Sequence, residues 1–163
     1  MRRTIAYILL SIVLLVFSTT LLKFLTIYNI VPDILLIWIV YLAIKEGQLA
    51  GMVAGFFIGL IFDLLSGPDG MLGLSALTKT LAGFLAGYFY NENKTFQTLG
   101  GYQFLLAVGV VTLVHHAIYF LIFLQGSDIG WGRTILFYSI PDTFYTTAVS
   151  LLPMFAIARK HLS

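Results

Sequence analysis

Six ionisable side chains stand inside apolar stretches of this 163-residue chain: Asp33, Asp63, Lys79, His115, His116 and Asp142. A charge in such surroundings costs several kcal/mol unless it faces protein and finds a partner. Asp63 and Lys79 lie on adjoining stretches around the short turn Ser66–Gly70. Lys79 is the deeper of the two, but its long stem reaches back toward the interface. Their placement predicts a structural ion pair, with a ligand or proton site as the alternative. His115 and His116 are neighbours, and neighbours on a helix point about 100° apart, so they do not easily share one metal. Ligand spacings such as H-E-x-x-H are absent. Polar bonding within a helix bundle is the expectation for the pair, against a metal site or proton relay. Two Pro-Asp pairs recur, Pro32-Asp33 and Pro141-Asp142. Proline suits the first turn of a helix and aspartate favours the same end. Pro32 therefore marks a helix start. Pro141 sits inside the last apolar stretch, where it should kink or shorten the helix, with a cavity shaped beside Asp142 as the alternative to a purely structural kink. No Ser-His-Asp arrangement, phosphate loop or zinc motif is present. The chain has no cysteine, which removes disulfides and thiolate chemistry. The reading is of a non-enzyme with no cofactor and no metal.

The elements that carry these residues are membrane-like. The chain is 60% hydrophobic and 10% charged, against roughly 25% charged in soluble domains. A spanning helix needs about 20 mostly apolar residues, and six stretches come near this: about 4–22, 24–44, 48–65, 71–90, 102–124 and 133–158. The fold class expected is all-α, one polytopic bundle of six transmembrane helices over residues 1–163. The first stretch follows Arg2 and Arg3 as in a signal peptide, but it is too long for the usual apolar region and lacks an A-x-A-like site, so it is read as a retained span. Loop charge sets the orientation. With both termini in the cytoplasm, Arg2, Arg3, Lys45, Lys94, Arg159 and Lys160 lie inside, against Lys23 and Arg133 outside. No basic run suits nucleic acid. Aromatic residues such as Trp38, Tyr41, Tyr88, Tyr90, Trp131 and Tyr138 fall toward span ends, where interfacial anchoring explains them.

The third stretch carries Gly47, Gly51, Gly55 and Gly59 in register, with Asp63 at the next step. Small residues every four positions let helix backbones approach closely. Each step drifts about 40° around the helix, so the row is an inclined ridge. Lys79, Gly83 and Gly87 form a matching row on the fourth stretch. The ridge is expected to pack helices within the chain, with a partner interface as the alternative.

The run Pro32-Asp33-Ile34-Leu35-Leu36 through Val40-Tyr41-Leu42-Ala43 and Lys45-Glu46-Gly47 resembles the rod shape-determining MreD family. So do Gly51, Gly55, Gly59-Leu60-Ile61-Phe62-Asp63-Leu64-Leu65-Ser66-Gly67, Gly73-Leu74-Ser75-Ala76-Leu77 and Gly83-Phe84-Leu85-Ala86-Gly87. The resemblance is best over about residues 30–90; the histidine pair and the region after Asn91 do not map onto it. It implies a multi-pass protein of the bacterial inner (cytoplasmic) membrane, a scaffold of the elongation complex that builds lateral peptidoglycan. The partners it implies are MreC, the actin-like MreB, the glycosyltransferase–transpeptidase pair and the lipid bilayer. The family is also similar in fold to the substrate-binding subunits of energy-coupling-factor transporters, so a vitamin-type uptake subunit is the alternative. Those subunits often carry an A-x-x-x-A patch on the first helix; here Ala6 is followed by Leu10.

Overall fold

The computed structural model describes residues 2–20, 31–66, 71–125 and 130–162. Among these the chain is helical, with no strand. Helix α1 runs Arg2–Thr20, α2 Ile34–Glu46, α3 Gln48–Leu65 and α4 Leu74–Ala86, the last extended by a 3-10 turn at Gly87–Phe89. A short α5, Thr95–Leu99, leads into α6, Tyr102–Phe123. Then α7, Trp131–Thr134, passes through a π-helical segment, Ile135–Ser139, into α8, Ile140–Leu162.

The bundle is built around α2. Leu35, Leu36, Ile37, Ile39, Val40, Leu42, Ala43 and Ile44 are all buried, and a helix apolar all round belongs in the centre. Its 13 residues span only about 20 Å, short of the hydrocarbon thickness of about 30 Å. The same holds for α4, also 13 residues. Among the described residues three helices are long and apolar enough to cross a membrane: α1, α3 and α6. The second and fourth expected spans thus hold shorter helices, and the join between the first two spans lies outside the described residues.

Helix α1 is peripheral. Leu15 is its one buried residue, while Ile5, Ile8, Leu9, Ile12, Val13 and Val16 are exposed. It is clasped to α2 by polar groups on aromatic rings. Trp38 Nε1 donates to Ser11 Oγ at 2.8 Å, and Tyr7 Oη donates to Glu46 Oε1 at 2.6 Å. Trp38 also stacks on Tyr41 at 5.2 Å. Trp38 thus makes contacts within the protein, to α1 and to Tyr41.

The turn from α2 to α3 passes through Gly47 at φ 99°, a conformation side chains with a Cβ avoid. Gly47 is thus a turn residue and not a step of the ridge. From there α3 runs antiparallel to α4 at backbone contact. A Cβ on Gly55 would overlap the Lys79 carbonyl, one on Gly59 the Ser75 carbonyl, and one on Gly83 the Gly51 carbonyl. A Cβ on Gly51 would meet Ala43, and one on Gly87 the side chain of Gln48. The ridge packs against α4, with Gly51 also meeting α2, all within the chain. The partner-interface alternative is corrected accordingly: α4 already occupies that face. Gln48 closes the far end by donating from Nε2 to the Phe84 carbonyl at 2.9 Å.

Candidate functional site

Proline 32 leads the chain into α2, and Asp33 caps the helix. Its Oδ1 accepts the Leu36 N–H at 2.9 Å, satisfying one of the donors a helix start leaves open. Its own N–H donates to Thr146 Oγ1 of α8 at 3.0 Å. Its Oδ2 accepts from Lys79 Nζ of α4 at 2.5 Å. One residue therefore ties α2, α4 and α8 together. The ammonium also lies 5.6 Å from the centre of the Phe62 ring, where the ring face attracts a cation. Lys79 is buried and Asp33 partly so, with their side chains 4% and 17% exposed.

This corrects the expected Asp63–Lys79 pair. Asp63 instead holds the start of α4. Its carboxylate accepts N–H groups from Gly73 at 2.9 Å and from Ser75 and Ala76 at 3.2 Å each. Gly73 takes φ 93° to aim its N–H there. A carboxylate at a helix N-terminus is stabilised by both the open donors and the helix dipole. Adjoining helices brought Asp63 close to α4, but the backbone amides, not Lys79, received it.

The two histidines lie in the second half of α6 and are buried. Their rings meet edge to face at 5.1 Å, and His115 stacks on Tyr119 at 6.1 Å. Both ring nitrogens of His115 and Nδ1 of His116 have no hydrogen-bond partner. Three of the four ring nitrogens thus lack the polar bonding expected within the bundle, and aromatic contacts line both rings. Adjacency, read as making a shared metal difficult, does not keep the two rings from approaching one carboxylate. One ligand-type atom from each of His115, His116 and Asp33 lies within 4.8 Å of the others.

These groups line a cavity of about 350 Å³, within the size range of small-ligand sites. Asp33, Lys79, His115, His116, Tyr119 and Asp142 supply its polar wall, with Ser18 and Ser75. Val31, Pro32, Phe62 and Phe120 supply the apolar one. Asp142 reaches this wall through the local chemistry of Pro141. Proline has no N–H for the carbonyl four residues back and its ring collides with it. The backbone takes a π turn over Ile135–Ser139 immediately before, a device that relieves such a conflict and often marks functional positions. The cavity lies at the end of the bundle where α1, α3 and α6 finish and α2, α4 and α8 begin.

Sequence reasoning picked out five residues of this wall, Asp33, Lys79, His115, His116 and Asp142, but did not single out Tyr119, Ser18, Ser75 or Phe62 for it. Tyr119 had a signal, being four residues after His115 and so on the same helix face. The others are ordinary residues of apolar helices, and nothing in their types or spacing marks them.

Searches of curated proteins and of solved structures gave no match. The sequence matches the family described as rod shape-determining protein MreD over residues 1–161. With nearly its whole length in that match and an all-helical, apolar architecture to go with it, the chain belongs to the MreD family.

Proposed function

We propose that this chain is a non-enzymatic scaffold of the rod-shape machinery in the bacterial inner membrane. It crosses six times, keeps both termini in the cytoplasm, and holds MreC, MreB and the glycosyltransferase–transpeptidase pair in the elongation complex. The observation that carries this is the family match over residues 1–161. The structure adds support. Arg3 and Lys45, two of the basic residues assigned to the cytoplasmic side by loop charge, line one recess together with Glu46 and Glu92, at the end of the bundle opposite the cavity. The glycine ridge is used internally, so partner helices meet outward faces. The exposed row Ile5, Ile8, Ile12 and Val16 on α1 is one such face.

The test is recovery after mild detergent extraction, together with cell shape. Co-purification with MreC and wall-synthesis enzymes, and rounding of cells that lack the chain, are expected. A reporter after Ser163 should be cytoplasmic and one inserted at residues 67–70 external; the same side for both would reject the six-span arrangement. The cavity of about 350 Å³ with charged groups on one wall favours a second reading, a small-molecule uptake subunit. Recovery with a paired ATPase and a bound small ligand would establish that one instead.

A further inference from the structure

We propose that Asp33, His115 and His116 form a site for a divalent transition metal of the zinc type, with the metal taking the place at Asp33 now held by the Lys79 ammonium. Three observations carry it. The first is proximity: one ligand-type atom from each residue lies within 4.8 Å of the other two. Ligands about 2.1 Å from a shared tetrahedral centre lie about 3.4 Å apart, so small side-chain rotations close the set. The second is orphaned nitrogen. His115 Nδ1, His115 Nε2 and His116 Nδ1 are buried without a partner, and a buried unsatisfied polar atom is costly enough to want an explanation. Imidazole nitrogens beside a carboxylate are the donor set that zinc, nickel and copper favour and that magnesium and calcium do not. The third is that the position already selects a cation. Asp33 Oδ2 accepts from Lys79 Nζ, while Oδ1 is committed to the Leu36 N–H. An incoming metal therefore competes with one group, the ammonium, and leaves the helix cap intact. Asp142 is the other carboxylate on this cavity wall and the candidate for a fourth position.

The arrangement separates a metal from an anionic or neutral ligand. An anion would use Lys79 as its anchor, so removing the ammonium would weaken it. A metal competes with the ammonium, so removing it would help. The experiment uses the full chain without a polyhistidine tag, purified in detergent, stripped with a chelator and titrated with zinc against a chromophoric chelator. One zinc per chain is expected, with affinity falling at least tenfold in His115→Gln and in His116→Gln. His161→Gln, changing the remaining histidine, is the control and should leave binding alone. Lys79→Met should tighten zinc several-fold. Cobalt added to the unmodified chain should give the strong visible bands of a low-symmetry, four-coordinate site, so the inference can be judged even where a variant does not fold. Absence of those bands overturns it. So does zinc binding that survives both histidine changes, or weaker zinc binding in a folded Lys79→Met chain.

Discussion

Replacing Asp33 and Lys79 singly and together should show strong coupling between two helices that are not neighbours in sequence. Both side chains are largely out of solvent, so removing one partner strands the other charge. Such losses run to about 3–5 kcal/mol. The substitutions can be chosen to isolate this term. Asp33→Asn keeps an amide oxygen to accept the Leu36 N–H, so the α2 cap survives and only the charge is lost. Lys79→Met keeps most of the stem against Phe62 and removes the ammonium. In the double variant neither charge remains to be stranded, and exchanging a buried pair for uncharged groups is often near neutral. The coupling free energy should then reach about 2 kcal/mol or more, roughly 30-fold in the unfolding equilibrium. Reversible unfolding in mixed detergent micelles, with a chelator present, measures it, and membrane abundance gives an independent reading. The informative control is Asp63→Asn combined with Lys79→Met. Asp63 is held by three backbone N–H groups of α4, so this pair should be additive to within about 0.5 kcal/mol. Additivity for Asp33 with Lys79, or coupling of Lys79 to Asp63 instead, would refute the assignment.

Two more perturbations test the helix contacts. Gly55→Ala places a methyl on the Lys79 carbonyl, which side-chain motion cannot relieve; a loss of at least about 1–3 kcal/mol is expected from such overpacking. Gly109→Ala on α6 meets Thr147 Oγ1 at 3.6 Å, ordinary contact, and should be tolerated, so comparable membrane abundance for the two variants would count against the packed ridge. Asp63→Ala leaves the start of α4 uncapped and should cost about 1–3 kcal/mol. Asp63→Asn should recover part of this, and equal stability of all three chains would show that the cap is not what orders that end.

What the sequence made legible is what repeats along one helix. The glycine ridge could be read because its period is set by 3.6 residues per turn, and α4 fills it as internal packing predicts. The buried charges could be found because each interrupts an apolar run, where a charge needs a reason. Which charge meets which was not readable. Sequence proximity favoured Asp63 for Lys79, yet Asp63 sits where α4 begins and the open N–H groups there bind a carboxylate in three places at once. With Asp63 taken, Lys79 finds the carboxylate of Asp33 on α2, a helix it meets only because α3 and α4 fold back along the glycine ridge. The approach of the histidines to Asp33 was not readable for a related reason. Their spacing says where the Cβ atoms point, about 100° apart, but ring torsions can bring two imidazoles toward one point. That convergence also needs Asp33 to arrive from α2. Helix lengths escaped for a third reason: apolar runs continue past the helix ends, since Val31, Met71 and Leu72 are apolar but lie outside regular helix. Composition reports what lipid or a protein core will accept. Where the helix begins is decided by Asp33 and Gly73 at the two caps, and those same caps bring the charged wall of the cavity together.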